Sequence, residues 1–179
     1  LHSNGINPSL ITGAGLASLQ QEGKIGNAYC GQSDWLLIEA DESDGTLVKY
    51  KPEIGLLLSI DKDHKELEEL FTIFETFKNN CKQSFIVNQS HALAKSFSKN
   101  IQVDFGNHTR FEGTHFQQQG FHITFEVQSL ICKIPTIGIH NMENALACMA
   151  VADLLGVNIA QCINALANYE GIYRRHQLL

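Results

Sequence analysis

The chain has 179 residues, and its 13 Lys and Arg residues against 19 Asp and Glu residues give a formal net charge of -6. With 44% hydrophobic and 18% charged residues, it suits one globular domain with its own core. The acidic balance argues against binding along a nucleic-acid backbone, and no apolar run is long enough to predict a membrane span. The N-terminal residues lack the basic and apolar regions of a secretion signal, so we expect a cytoplasmic protein.

The five cysteines are odd in number and include no Cys-x-x-Cys pair. This spacing predicts reduced thiols and argues against a zinc site or a disulfide framework. The cysteines are Cys30, Cys81, Cys132, Cys148 and Cys162.

The first residues resemble the end of a helix, because Gly5 follows a short polar stretch and Pro8 comes soon after it. We therefore expect the chain to be part of a longer protein. Residues 9–12 are a candidate strand. Residues 13–15 are a glycine turn with only weak resemblance to a phosphate loop, and residues 20–31 are a polar loop.

An apolar run at residues 35–38 changes abruptly into a cluster of carboxylates. The continuous run predicts a parallel strand buried on both faces. Glu39, Asp41, Glu42 and Asp44 follow at its carboxyl end, where ions and ligands collect in open α/β sheets. Because neighbouring carboxylates repel one another, the cluster favours a bound cation such as Mg²⁺. A solvated acidic turn that caps the next helix would explain the same residues.

A second apolar run, residues 54–60, leads into a polar string that ends in His64. We expect this strand to lie beside the first one in a single sheet, so that Glu39 and His64 share one edge and one metal ion. The alternative is that His64 simply begins a helix, with Asp63 as its N-cap.

Strands and helices continue to alternate through the middle of the chain. Apolar residues at spacings of three and four predict an amphipathic helix over residues 66–78. A strand over residues 84–88, a short helix over residues 91–99 and a strand over residues 101–105 follow. This order is typical of a mostly parallel α/β sheet flanked by helices.

The pattern changes between residues 108 and 134. Phe121, Ile123, Phe125 and Val127 alternate with polar residues, which predicts a small antiparallel hairpin or meander. Three histidines in this section lack ligand spacing and are interpreted as surface residues: His108, His115 and His122.

Two helices are predicted in the last third of the chain, over residues 141–155 and 159–167. His140, Asn141 and Asn144 gather at the start of the first one. Asparagine at a helix start usually caps the helix, but its amide also suits the edge of an adenine.

Arg174 and Arg175 follow Gly171 near the end of the chain. Paired arginines in such a loop suit a phosphate or a carboxylate, although an exposed pair more often only faces solvent.

Four motifs in this order resemble the central domain of the Mur ligase family, and within it the alanine-adding branch. They are Glu39-Ala-Asp-Glu-Ser-Asp44, Ile60-Asp-Lys-Asp-His64, Gly138-Ile-His-Asn-Met-Glu-Asn-Ala145 and Gly171-Ile-Tyr-Arg-Arg175. Each motif is modestly specific, but four of them in the correct order, with helices between them, strongly indicate the family. The resemblance covers nearly the whole chain.

The resemblance implies both a fold and an activity. The fold is the mostly parallel α/β sheet of P-loop NTPases with a small antiparallel subdomain, here over residues 1–179. The activity is ATP-dependent amide ligation in peptidoglycan synthesis, in which a substrate carboxylate becomes an acyl phosphate that an amino group attacks. The alanine-adding branch joins L-alanine to UDP-N-acetylmuramate with ATP and Mg²⁺.

Residue roles follow from the same motifs. The resemblance implies that Glu39 and His64 are catalytic residues that hold Mg²⁺ between the γ-phosphate and the substrate carboxylate. The resemblance also implies that the adenine is contacted by Asn141 and Asn144 and the nucleotide phosphates by Arg174 and Arg175. It implies that the pocket near the acyl acceptor is shaped by Asp41, Glu42 and Ser43.

The family comparison also leads us to expect a truncated domain. The Gly-rich phosphate loop, the N-terminal UDP-binding domain and the C-terminal domain of the family are absent from these residues. We therefore expect the chain alone to be inactive, with one face of its sheet uncovered. Residues 67–77 contain no lysine of the kind that some branches carbamoylate, which favours the alanine-adding branch.

Three other interpretations stay open, and no pattern indicates the oligomeric state. A ligase that reattaches recycled murein tripeptide shares most of the motifs. A non-catalytic homologue that binds a nucleotide or a partner would explain why Ser59, Lys65 and His176 depart from the usual family residues. A soluble α/β interaction module is the third, and four ordered motifs argue against it.

Overall fold

The computed structural model describes residues 1–43, 45–61 and 66–172. Strands and helices alternate in its first half, as the sequence predicts. In chain order the elements are β1 Ser9–Ile11, α1 Ala17–Gln21, β2 Ala28–Tyr29, β3 Leu36–Ile38, β4 Ile54–Leu57, α2 Leu67–Asn80, β5 Ser84–Val87, β6 Thr114–Gln119, β7 His122–Val127, β8 Leu130–Ile134, α3 Ile139–Leu154 and α4 Ile159–Leu166. Short 3-10 turns occupy His2–Asn4, Thr46–Lys49 and Ala94–Phe97.

The parallel strands lie in two hydrogen-bonded groups. β1 pairs in parallel with β3 and antiparallel with β2, and the register sets Ile11 opposite Ile38. β4 pairs in parallel with β5, with Leu57 opposite Val87. The prediction that β3 and β4 are neighbours is therefore wrong for the strands that the structure describes. Which strands pair depends on how the chain packs in space, and a local apolar run carries no information on it.

The strand before the acidic turn is much more exposed than the sequence predicts. Leu36, Leu37 and Ile38 are 51%, 37% and 40% exposed, and Ile11 on the neighbouring strand is 52% exposed. The prediction of burial on both faces is wrong for this strand, because β1 is the only described element that makes more than occasional contact with it.

The amphipathic helix α2 packs onto the strands that follow the acidic turn. Leu70, Ile73, Phe74 and Phe77 are its buried residues, and its glutamates face solvent as expected. They form one apolar core with Leu57, Ile60, Phe85, Val87 and Phe97. The spacing of three and four residues thus correctly predicted both the helix and its buried face.

The antiparallel meander and the last two helices form a second core. β7 lies between β6 and β8, and it buries Ile123, Phe125 and Val127. The small residues of α3 pack there too, including Ala145 and Ala150. Asn158 caps α4 through a reciprocal pair of hydrogen bonds with Gln161. The meander, the two helices and the exposed histidines of the meander are all confirmed.

Three local predictions need correction. Residues 101–105 form turns instead of a strand, and Phe105 makes two isolated bridges, to Asn88 and to Phe111. The helix predicted over residues 91–99 shrinks to the 3-10 turn Ala94–Phe97. The predicted loop over residues 20–31 contains the end of α1 and the short strand β2, which depends on pairing with β1 and has no pattern of its own.

Burial sets the chemistry of the thiols. It raises the pKa of Cys132 to about 12 and that of Cys81 to about 11, so both stay protonated at neutral pH. All five cysteines are free. Within the described ranges, none of the helices is long and apolar enough to cross a membrane.

Candidate active site

The carboxylate of Glu39 is held at the carboxyl edge of the N-terminal sheet. Because Ile11 lies opposite Ile38, the residues that follow β1 and β3 leave the sheet side by side. The Thr12 hydroxyl donates a hydrogen bond to Oε2 of Glu39 at 2.5 Å, and the Gly13 N–H donates to the same oxygen at 2.7 Å. Two donors on one oxygen fix the direction in which this exposed carboxylate points.

Thr12 and Gly13 were not among the candidate site residues. In the sequence they stand only at the end of a candidate strand and in a glycine turn with weak resemblance to a phosphate loop. The parallel register would have found them, since it places Thr12 beside Glu39, but a register cannot be read from either strand alone. A Cβ added at Gly13 would lie 3.5 Å from Oε2 of Glu39, which is an ordinary van der Waals contact.

The acidic turn that follows Glu39 is locally structured. Asp41 accepts a hydrogen bond from the Ser43 N–H at 2.7 Å, the Asx turn that such a residue makes with the backbone two positions on. Glu42 is half-buried, and its carbonyl accepts from the Gly45 N–H at 3.1 Å. The predicted pocket residues Asp41, Glu42 and Ser43 thus belong to one tight turn after β3.

The second half of the predicted metal site falls outside the described residues. Ile60 is buried and Asp61 is exposed beside His91, at 3.8 Å between Oδ1 and Nε2. His64 lies outside the described ranges, and so does Asp44. Among the residues that are described, no group of three or more His, Cys, Asp or Glu side chains could hold a metal ion. The sharing of one ion by Glu39 and His64 stays a prediction.

The first turn of α3 is built around Asn141. Its side-chain amide donates to the Thr136 hydroxyl at 2.9 Å and to the Ile137 carbonyl at 2.7 Å. Asn141 therefore orders the loop that leads into the helix by donating hydrogen bonds from inside the first turn. The capping interpretation is wrong, because Gly138 is the N-cap of α3 and no side chain caps it. Asn144 is exposed one turn further on, with its amide 3.5 Å from Oδ1 of Asn141.

Gly138 shapes the same turn. Its φ of 86° is favourable only for glycine, and an added Cβ would lie 2.4 Å from the His140 ring. Its N–H donates to Oε1 of Gln118 at 2.9 Å, which ties the turn to β6. The loop before α3 is thus fixed from several directions. The predicted phosphate-binding pair, Arg174 and Arg175, lies outside the described residues.

The chain belongs to the Mur ligase family, since the family model described as the Mur ligase middle domain matches residues 25–152. Within the family it is most like the UDP-N-acetylmuramate–L-alanine ligases. A curated ligase of that name from Synechocystis is 31% identical over 99% of this chain and 36% of its own length. The chain spans 36% to 39% of the length of the curated relatives with the best matches.

Solved structures agree on the fold. The UDP-N-acetylmuramate–alanine ligase of Thermotoga maritima matches with a TM-score of 0.83 and 22% identity, over 99% of this chain and 42% of that one. A UDP-N-acetylmuramate:L-alanyl-γ-D-glutamyl-meso-diaminopimelate ligase from Neisseria meningitides matches with a TM-score of 0.75 and 21% identity, over 97% and 61%. The predicted fold class is confirmed.

Proposed function

We propose that this chain is the central domain of an ATP-dependent ligase that joins L-alanine to UDP-N-acetylmuramate in peptidoglycan synthesis. The observation that carries the proposal is the oriented Glu39 carboxylate at the carboxyl edge of two parallel strands, within the motif that the family resemblance singles out. The name shared by the most similar curated relatives supports the choice of substrates. An enzyme that consumes ATP and a UDP-linked precursor belongs in the cytoplasm.

Glu39 has the chemistry of a magnesium ligand. Mg²⁺ prefers oxygen ligands, often one or two carboxylates together with substrate phosphates, and Glu39 supplies one such carboxylate. With Oε2 oriented by Thr12 and Gly13, the side chain keeps a fixed direction toward the space beyond the strand ends. We assign His64 as its partner. When bound, the ion would draw the γ-phosphate and the substrate carboxylate together and spread their charge.

The chain's own residues bind and orient the reactants in this proposal. Asn144 contacts the adenine from the surface of α3, and Asn141 holds that turn in shape while it completes the adenine contact. Arg174 and Arg175 neutralise the nucleotide phosphates. The turn of Asp41, Glu42 and Ser43 borders the place where the amino group of L-alanine attacks the acyl phosphate.

We further propose that residues 1–179 are one of three domains. The relatives are more than twice as long as this chain, and a phosphate loop, a UDP-binding domain and a C-terminal domain would come from the rest of the protein. Without them the chain lacks the backbone N–H groups that cradle a triphosphate. We therefore expect it to be inactive on its own.

The experiment is a ligation assay on the complete natural protein. ADP and phosphate should appear only when UDP-N-acetylmuramate, L-alanine, ATP and Mg²⁺ are all present. Leaving out each component in turn provides the controls. Equal release of phosphate without the sugar nucleotide would contradict ligation, and no release at all would favour the non-catalytic homologue.

A second candidate function is the reattachment of recycled murein peptide. It is favoured by the structural match to the ligase from Neisseria meningitides, whose name specifies the tripeptide L-alanyl-γ-D-glutamyl-meso-diaminopimelate. The same assay separates the two. Turnover with that tripeptide at a higher kcat/KM than with L-alanine would select the recycling reaction.

A further inference from the structure

Asn88 is a buried amide at the carboxyl end of β5. It is 3% exposed, and its backbone N–H donates to the Leu57 carbonyl at the end of β4 at 3.2 Å. Its side-chain Nδ2 donates to Oε2 of Glu143 on α3 at 3.3 Å. One residue thus connects the ends of two parallel strands to the helix that carries Asn141 and Asn144.

The orientation of the Asn88 amide is fixed by its surroundings. Oδ1 accepts a hydrogen bond from the Ser90 N–H at 2.9 Å, so Nδ2 is the atom turned toward Glu143. Gly106 packs directly over this group with a φ of 94°, and an added Cβ there would lie 2.8 Å from Oδ1. The Ser90 hydroxyl in turn accepts from the Asn107 N–H at 3.0 Å. The loops around Asn88 leave its amide little freedom.

Glu143 occupies the matching position on the helix. It lies half-buried between Asn141 and Asn144, and its neighbour Met142 is packed into the second core. The helix start is also tied to β6 through Gly138 and Gln118. The contact with Asn88 adds a link to the parallel strands, at the edge of the domain where β4 and β5 end.

We propose that Asn88 and Glu143 are a positioning pair for nucleotide binding. They hold the first turn of α3 at a fixed distance from the carboxyl ends of β4 and β5, so that the adenine contacts and the metal-binding end of the site stay in register. Neither residue touches the substrate. This inference rests on the proposed function of the site, and it adds two residues to which no role has been assigned.

The hydrogen bond can be broken and rebuilt by exchanging its donor and acceptor. N88D places a carboxylate against Glu143 and should raise the KM for ATP about tenfold, because displaced binding groups weaken binding even when they stay present. E143Q keeps an acceptor for the Asn88 amide and should behave as wild type. In N88D/E143Q the glutamine amide can donate to the new carboxylate, so the KM for ATP should return to within about twofold of wild type.

A matched control exists on α2. The Asn79 amide lies 3.4 Å from Oε1 of Glu75, both residues are exposed, and N79D makes the same change of charge beside a glutamate. N79D should leave all kinetic constants unchanged. The KM for L-alanine and the thermal midpoint are measured for every variant. A general loss of structure would lower the fraction of active enzyme and would not raise the KM for ATP alone.

The outcomes separate this inference from the proposed function. If the wild-type complete protein shows no ligation, the proposed function fails, and the pair is then tested by calorimetry with a non-hydrolysable ATP analogue. An N88D variant with wild-type affinity for nucleotide would overturn the positioning role. So would a double variant that stays as weak as N88D, or an N79D variant that is impaired to the same extent.

Discussion

The N-terminal sheet and the meander with its helices differ sharply in how well their strands are covered. Ile11 and Leu36 in the N-terminal sheet are 52% and 51% exposed, whereas Ile123 and Phe125 in β7 are fully buried. The side chain with the strongest claim to chemistry, Glu39, belongs to the poorly covered sheet. The packed core and the carboxylate that we propose as a metal ligand therefore lie in different regions of the domain.

The physical origin of the difference lies in the neighbours of each strand. β7 is paired on both edges and packs against α3, so each of its inward side chains is surrounded. Among the described elements, β3 is paired with β1 alone, and no helix makes more than occasional contact with it. A strand with so little cover gains little from its apolar side chains, since the free energy depends on the area removed from water.

The largest effect that this comparison predicts is on stability. Phe125→Ala in the 179-residue chain should lower the free energy of unfolding by about 3–5 kcal/mol, because it opens a cavity in a packed core. Leu36→Ala should cost less than about 1 kcal/mol, since half of that side chain already faces water. Urea unfolding of both variants measures the difference, and equal losses would refute the division into a packed and an uncovered region.

The next effect is on catalysis and comes from the uncovered region. Glu39→Ala in the complete protein should reduce turnover by at least about 100-fold, since even the groups that orient a metal ligand are worth 10- to 100-fold. Its melting temperature should stay within a few degrees of wild type, because Glu39 is exposed. Glu53→Ala, which removes an exposed carboxylate paired with Lys82, is the control. A collapse of folding would make Glu39 a structural residue.

A smaller loss is expected when only the orientation of Glu39 is disturbed. Thr12→Val keeps the shape of the side chain but removes the hydroxyl that donates to Oε2. The Mg²⁺ concentration for half-maximal turnover should rise about tenfold, and Mn²⁺ affinity measured by electron paramagnetic resonance should weaken in parallel. Thr12→Ser retains the donor and should restore both values. Unchanged metal dependence in the valine variant would contradict the orienting role.

The packed region should make the free energy of unfolding depend on pH. Burial raises the pKa of Cys132 from its ordinary value of 9.0 to about 12, so the unfolded chain loses this proton first as the pH rises. The free energy of unfolding should therefore be fully retained below pH 9 and should fall between pH 9 and 12, by up to about 1.4 kcal/mol per pH unit from this thiol. Urea unfolding at pH 8.5 and 10.5 measures the slope. Cys132→Val should have a smaller slope than wild type, and identical slopes would contradict the assignment.

The smallest effect concerns ATP and the isolated chain. Residues 1–179 should bind ATP weakly or not at all, because we place the phosphate-binding loop elsewhere in the protein. Isothermal calorimetry with Mg²⁺-ATP measures this directly. Tight binding would show that the triphosphate site lies within these residues.

Local sequence patterns correctly predicted the elements whose apolar residues recur with the period of a helix or a strand and therefore form one buried face. The three-and-four spacing of α2 and the alternation of Ile123, Phe125 and Val127 each gave the correct structure, because each pattern has its cause in the packing of that element. The pairing of strands failed to follow from sequence, as the separation of β3 from β4 shows. Which strands lie side by side depends on contacts between segments that are distant in the sequence.

The candidate site was predictable to the same extent. Glu39 and Asn141 could be proposed from the sequence because each lies in a motif of several residues. Thr12, Asn88 and Glu143 could not be proposed, since their hydrogen-bond partners lie 27 and 55 positions away in the sequence. Such residues have no local signature, and only the assembled structure brings them beside their partners.

In the part of the chain that the structure describes, β3 has a strand partner on one edge only, which has a practical consequence for purification. A strand that offers free backbone groups and apolar side chains at a sheet edge is a template for pairing with another molecule. Leu36, Leu37 and Ile38 contain neither a charge nor a proline that would oppose such growth. Aggregation at high concentration should therefore begin at this strand, and a lysine introduced at Leu37 should delay it.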